Sequence, residues 1–172
     1  IKHVGFSFHD TAEVLEQILI EYPEIEVVQI QFNYLDFLDR SVQSKKCYEV
    51  CRKYNKPVLV MEPVKGGMLA NIPYPLNEPF INYNKDLSNA SYCFRFLMQF
   101  PNIKIILSGM SSLEQVKDNL NTFKEETVFT KEMADAVEAV RLNILKTKKV
   151  DCTGCKYCMP CPFGVNIPEN FS

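Results

Sequence analysis

Apolar residues in this chain alternate between short unbroken runs and longer stretches in which they recur every three or four positions. Val4 to Phe8 is the first short run. Asp10-Thr11-Ala12-Glu13 follows it as a helix cap with a Glu three residues on. Val14, Leu15, Ile18 and Leu19 then fall on one helical face. Glu21 to Glu26 reads as a turn, and Val27 to Phe32 as a second strand, β-branched at its start and polar towards its exit. The spacing of Cys47, Val50, Cys51 and Tyr54 predicts a helix over 41–54, stopped by Asn55-Lys56-Pro57. Val58 to Met61 is wholly apolar, as a strand buried on both faces would be. The stretch from Glu62 to Leu87 shows no periodicity and is rich in Pro and Asn, which predicts a long functional loop or lid. Ser88 to Phe100 reads as a third helix and Ile103 to Leu107 as a fourth strand. A helix ending near Phe123 follows, and then one capped by Thr130 with Met133, Val137, Val140 and Ile144 on one side.

Strand and helix repeated four times is the pattern of a parallel sheet with helical crossovers. A complete (β/α)8 barrel takes ~250 residues, so these four units amount to half of one. A doubly wound four-stranded sheet fits the same periodicity. In a half barrel the first and fourth strands are open edges with unpaired N–H and C=O groups. Phe6, Val28, Ile30, Leu59 and Ile105 are expected to face inwards, where a half barrel gives them no opposing side chains.

Composition narrows the class. The chain has 172 residues, is 47% hydrophobic and 23% charged, and carries a net charge of −2. That suits one domain with a small appendage, and the absence of a basic block argues against a nucleic-acid partner. No apolar run approaches the ~20 residues of a membrane helix, and nothing reads as a signal peptide. Seven Cys, an odd number, point to a reducing, cytoplasmic compartment rather than a disulfide scaffold. Cys47 and Cys51 share a helical face without a His or second pair nearby, so they read as core thiols rather than metal ligands. Ile1 is not an initiator Met and opens inside an apolar run, so the chain is expected to be a piece of a longer protein.

The richest chemistry lies in Asp151-Cys-Thr-Gly-Cys-Lys-Tyr-Cys-Met-Pro-Cys-Pro162. Cys152, Cys155, Cys158 and Cys161 are each separated by two residues. That spacing curls the backbone so that sulfurs turn inwards and amides approach them, as an iron–sulfur cluster requires. Structural zinc usually takes two Cys pairs separated by a longer loop; zinc and unligated thiols are the alternatives. The common bacterial run has three residues before its last Cys, so Cys161 either completes one cluster or reaches towards another.

Several of these runs together resemble aldo/keto reductases. Gly5-Phe6-Ser7-Phe8-His9 is similar to the fifth strand of that family, and Val28 to Tyr34 to the sixth. Met61 to Gly67 resembles the seventh strand and its exit loop, and Ile106 to Ser112 with Gln115, Asp118 and Asn119 the eighth strand and its helix. The branch with a C-terminal 4Fe-4S ferredoxin-type segment matches best, because the Cys run follows the barrel directly.

The resemblance implies the second half of a (β/α)8 TIM barrel over 1–123, a helical extension over 124–150 and an iron–sulfur segment over 151–172. It also implies reduction of a small carbonyl substrate by hydride from NAD(P)H, with an electron-transfer partner for the cluster. The family's catalytic Asp, Tyr, Lys and His follow strands that this chain does not contain, so no catalytic residue is assigned. His9, at a strand exit, reads as a pocket-lining group. For the cofactor, Ser7 and Gln29 are expected at the nicotinamide amide, and Met61 where relatives stack an aromatic ring. Ser111, Ser112, Gln115 and Asn119 are expected on the helix that receives the adenosine phosphates. Gln115 stands where relatives place an Arg for the 2′-phosphate, so little discrimination between NADH and NADPH is expected. The iron–sulfur ligands would be Cys152, Cys155, Cys158 and Cys161. A binding or electron-transfer module that uses the barrel only as scaffold is the competing reading. The chain alone is expected to self-associate or to need a missing N-terminal half.

Overall fold

The structure is a computed structural model that describes residues 2–124, 129–147 and 158–171. Its frame is a four-stranded, wholly parallel sheet in the order β1-β2-β3-β4. The strands are β1 (Gly5–Phe8), β2 (Val27–Gln31), β3 (Val58–Met61) and β4 (Ile103–Ile106). The helices are α1 (Ala12–Glu21), α2 (Ser44–Lys53), α3 (Glu78–Asn84), α4 (Asn89–Met98), α5 (Leu113–Lys124), α6 (Lys131–Thr147) and α7 (Ile167–Phe171). Sequential parallel neighbours joined by helices are the arrangement that the periodicity predicts. Among the described residues no helix is long and apolar enough to cross a membrane.

Period-two alternation decides which face of the sheet is covered. Val28 and Ile30 on β2 and Val58 and Val60 on β3 are buried, while Gln29, Leu59 and Met61 between them are only half-buried. The expected inward set holds for Leu59 and Ile105, which lie on the open face, and is corrected for the rest: Val28 and Ile30 face the helices, and Phe6 packs against the same core. Parity is marked by the polar residues Ser7, Gln29 and Gln31, which take the open face, whereas Val58 to Met61 carries no such mark. β4 needs one more step. Val58 pairs with Ile103 but Leu59 with Ile105, so Lys104 is the extra residue of a bulge. The bulge turns both Ile103 and Ile106 towards the helices and leaves Ile105 50% exposed.

The covered face closes over an aromatic cluster. Phe32, fully buried at the exit of β2, has ring centroids of Phe100, Phe37, Tyr48 and Phe96 at 4.9, 5.5, 5.5 and 6.2 Å. Offset and edge contacts of this kind add ~0.5–1.5 kcal/mol per pair beyond area burial. Phe80 of α3 stacks on Tyr92 of α4 at 3.8 Å, and the Tyr92 hydroxyl donates to the Phe80 carbonyl at 2.9 Å. Helix α6 lies along α3, where Asn143 Nδ2 donates to the Leu76 carbonyl.

Three local expectations are also corrected. The stretch from Glu62 to Leu87 is not irregular throughout: it contains a 3-10 segment, Lys65–Ala70, and α3. Pro at the start of α3 and two left-handed glycines in the 3-10 segment are what made the composition read as loop. Helix α2 starts at Ser44 rather than Ser41, because Gln43 is left-handed at φ 53° and Asp39 binds Ser41 and Val42 into a turn. The cap at Asp10-Thr11 does not form as a capping box. Asp10 Oδ1 accepts from the Thr11 amide at 2.7 Å, and the Ala12 amide donates to Gln43 Oε1 instead. Elsewhere local signals hold. Ser88 caps α4 by accepting from the Ser91 amide, Thr130 caps α6 by accepting from the Met133 amide, and Asn55 ends α2 at φ 55°.

Candidate functional site

In a parallel sheet all strand exits lie at one end, and the residues just past them are free to converge. Three residues expected at the nicotinamide do so. Ser7 pairs in register with Gln29, and the strand beside it ends at Met61. Gln29 Nε2 donates to Ser7 Oγ at 3.3 Å and to Met61 Sδ at 3.5 Å, and the Ser7 hydroxyl reaches Met61 Sδ at 3.6 Å. His9 joins them, with Nε2 3.0 Å from Ser7 Oγ. This places a hydroxyl, a carboxamide, an imidazole and a thioether together on the open face, able to hold an amide-bearing planar ligand by hydrogen bonds and soft contact. Behind it, between β1, β2 and the start of α2, is a cleft of ≈ 190 Å³ lined by His9, Asp10, Gln31 and Ser41.

A second group at the same end was not visible in the sequence. Asp36, buried just beyond β2, accepts from Lys65 Nζ on both carboxylate oxygens at 2.7 and 2.9 Å. It also accepts from Gln31 Nε2 at 2.7 Å and Asn33 Nδ2 at 2.8 Å. Asn33, fully buried, accepts from the amides of Leu35 and Asp36 and donates to the Glu62 carbonyl at 3.0 Å. A carboxylate desolvated to this extent needs such a full shell. Tyr34, next to Asn33, gives no chemistry. The Tyr34 hydroxyl is buried without a hydrogen-bond partner, and desolvation pushes its pKa far up, so the phenol holds its proton.

The third expected group surrounds the start of α5. Ser111 and Ser112 precede the helix rather than lying on it, and their amides both donate to Gln115 Oε1, at 2.7 and 3.2 Å. The Gln115 amide donates in return to Ser112 Oγ. This reciprocal cap occupies the donors that an anion would use. Hydrogen bonds from its own backbone and from Ser112 hold the Glu114 carboxyl below the usual range, which adds negative charge at the same end. Asn119 is turned to Ser108 Oγ at 3.0 Å, and Asp118 accepts from Ser88 Oγ at 2.6 Å, so these two tie α5 to β4 and α4.

Of the cysteine run, Cys152 and Cys155 lie outside the described residues. Cys158 is exposed and Cys161 half-buried, both as free thiols, and Gly164 at φ 70° donates its amide to the Cys161 carbonyl. Among the described residues no three or more His, Cys, Asp or Glu side chains gather to hold a metal. Cys47, Cys51 and Cys93 are buried thiols, as expected of core residues. Burial pushes Cys47 up to about 11 and Cys51 up to about 12, and raises Cys93 as well.

Comparison with known proteins bears on the whole arrangement. The sequence model of the aldo/keto reductase family matches residues 1–142. The holo form of aldo-keto reductase AKR11C1 from Bacillus halodurans is 16% identical with a TM-score of 0.60, over 81% of this chain and 50% of that one. Its apo form gives 17%, 0.60, 81% and 51%. A thermostable aldo-keto reductase, Tm1743, in complex with the inhibitor epalrestat, is 19% identical with a TM-score of 0.61, over 81% of this chain and 48% of that one. At such identities the likeness concerns the fold, and the chain spans about half the length of these structures. No curated protein matches.

The buried thiols give a pH dependence whose sign is fixed. Their folded pKa lies above the unfolded value, so the stability they contribute is complete below about pH 9 and is lost as pH rises towards 11–12. Melting temperature should fall over that range, and Cys51→Ala should flatten the fall; an unchanged slope in the variant refutes a buried neutral thiol at Cys51.

Proposed function

This chain belongs to the aldo/keto reductase family, and from that premise we propose that it supplies the cofactor-binding half of an oxidoreductase acting on small carbonyl compounds. The observation that carries the reading is the convergence of Ser7, Gln29 and Met61 at adjoining strand exits on the open face. The residues fit a nicotinamide. The carboxamide and hydroxyl match its amide, and the polarisable thioether of Met61 takes the place of a stacking ring. When bound, that cofactor supplies a hydride. Ser7 and Gln29 orient its amide, His9 fixes the Ser7 hydroxyl, and no residue of this chain is assigned as proton donor. The adenosine end belongs at Ser111, Ser112, Gln115 and Asn119, where a phosphate has to displace Gln115 Oε1 from two amides. Gln115 carries no charge to distinguish a 2′-phosphate. One charge-assisted contact is worth ~1.5–3 kcal/mol, or ten- to a hundredfold in affinity. Binding titrations with NADH and NADPH on the intact protein should therefore agree within tenfold. Failure to bind either sinks the cofactor reading, and a hundredfold preference for NADPH sinks the role given to Gln115.

The iron–sulfur proposal rests on Cys152, Cys155, Cys158 and Cys161, with the first two outside the described residues. The two described thiols fit a ligand role, since both are free and accessible and neither is buried in the core like Cys47, Cys51 or Cys93. A 4Fe-4S cluster there supplies one-electron transfer to a partner. Cys155→Ser should abolish the visible chromophore of anaerobically purified protein, whereas Cys47→Ala should leave it. A chromophore that survives Cys155→Ser removes the assignment. A reducing, cytoplasmic compartment follows from the same chemistry.

The partner of the sheet is the last element of the reading. Ile105 on β4 and Leu107 just past it are about half exposed, and β1 and β4 are the edges of the sheet. A complementary set of four βα units, or a second copy of this chain, covers them. Light scattering on the isolated chain should show association, and a monodisperse monomer with a cooperative melt contradicts it.

A further inference from the structure

The loop after β3 contains two non-glycine residues in the left-handed region, Glu62 at φ 56° and Lys65 at φ 49°. Neither side chain relieves the strain locally in the way Asn or Asp can, so something else holds them. The hydrogen bonds say what. The Glu62 carbonyl accepts from Asn33 Nδ2 at 3.0 Å, and Lys65 Nζ donates to both oxygens of Asp36 at 2.7 and 2.9 Å. The two strained residues of this loop are the two gripped from the neighbouring strand exit. Asn33 and Asp36 are themselves fixed, buried to 0% and 2% exposure and bonded to each other.

We infer that Asn33, Asp36 and Lys65 form a positioning clamp that holds Glu62 and Lys65 in the left-handed region and so presents the loop to the nucleotide at the strand exits. The inference rests on the cofactor reading for what the loop meets, though not for the clamp itself. Geometry locates its effect. Glu62 follows Met61 directly, and Gly66 and Gly67 continue the left-handed course at φ 61° and 93°. The amides of Lys65, Gly67 and Leu69 are then bonded to carbonyls within the same segment, Glu62 and Val64. The loop therefore has no ladder to the sheet beyond Met61, and the clamp is what connects its shape to β2. Asp36 keeps Gln31 and Asn33 as donors when Lys65 is removed, so the carboxylate is not orphaned by loss of the cation. Lys65 thus acts on the loop and not on the core. It touches no reacting atom in this arrangement and is a positioning residue.

The test uses Lys65→Met and Lys65→Arg in the intact protein, with Asp36→Asn as a second disruption of the same bond. Amide exchange at position 65, Gly67 and Leu69 should quicken about tenfold or more in Lys65→Met, while the amides of β2 and β3 keep their protection. Dissociation constants for NADH should rise about tenfold, equivalent to ~1.4 kcal/mol. In turnover, KM for the nucleotide should rise with kcat held, since only ground-state positioning is lost. Lys65→Arg should stay within threefold of the parent in all three readouts. Exchange that is unchanged in Lys65→Met, or that quickens equally across the sheet, overturns the clamp. Localised exchange with unaltered nucleotide affinity overturns its role in presentation. A parent that binds neither NADH nor NADPH refutes the cofactor reading instead, and the exchange contrast between Lys65→Met and Lys65→Arg then decides the clamp by itself. Should Asp36→Asn fail to fold, the Lys65 pair of variants decides the same question.

Discussion

Parity along the strands is the constraint from which the rest of this structure follows. A residue on β2 or β3 points either to the helices or to the opposite face, and nothing in between is available to it. Val28, Ile30, Val58 and Val60 take the helical side and are buried. Ser7, Gln29 and Met61 are thereby committed to the other side, Ser7 and Gln29 in register and Met61 two residues further along the third strand, opposite Gln31. The polar cluster is thus a consequence of packing, since the burial of four valine and isoleucine side chains fixes on which face Ser7, Gln29 and Met61 must stand. The bulge at Lys104 keeps the same rule on β4, where an ordinary register would have put Ile106 on the open face.

Beyond the strand ends this rule stops, and charge takes over. Once the ladder ends, backbone groups near the sheet need other partners. Asn33 supplies them, accepting from two amides of the chain leaving β2 and donating to the Glu62 carbonyl of the chain leaving β3, while Asp36 joins the same two segments through the Lys65 side chain. A buried carboxylate is costly alone, and removing one partner of a buried pair typically costs ~3–5 kcal/mol. Here the carboxylate has three side-chain donors, from Lys65, Gln31 and Asn33, which spreads that cost. The same network cannot relax without letting go of the loop, so stability and loop shape are coupled through one side chain.

How much of this was legible depended on the distance over which each feature is encoded. Strands and helices were readable because apolar spacing is local, and so was the cap at Thr130. Val58 to Met61 was readable as a strand but not in its facing, because four apolar residues in a row carry no parity. The nicotinamide-side residues were named from motif resemblance, and the sheet then brought Ser7, Gln29 and Met61 together from positions up to 54 residues apart. Asp36 escaped notice since its partner Lys65 lies 29 residues away and each alone reads as a solvated surface charge. The left-handed course at Glu62 and Lys65 left no trace either, for neither residue type announces it, whereas Gly66 and Gly67 did mark a turn. Helix α3 was missed because Pro at its start and the Asn-rich flank read as loop.

The two ends of the proposed nucleotide site are built on opposite strategies. At the nicotinamide end Gln29 Nε2 bonds weakly, at 3.3 Å to Ser7 Oγ and 3.5 Å to Met61 Sδ, so a ligand group displaces little from it, while the Ser7 hydroxyl keeps a 3.0 Å contact to His9 Nε2. At α5 the amides of Ser111 and Ser112 are already taken by Gln115 at 2.7 and 3.2 Å, and Glu114 adds a negative charge alongside. An incoming phosphate has to break the cap, face that carboxylate and gain no new cation from Gln115. Any affinity gained at this end comes from exchanging one acceptor for another at the same two amides, which is close to balanced for a neutral oxygen and improves only with the charge of the ligand. In this proposal the α5 end therefore adds little discrimination between nucleotides, and the contacts of Asn33, Asp36 and Lys65 bear on how tightly any of them is held at the other end.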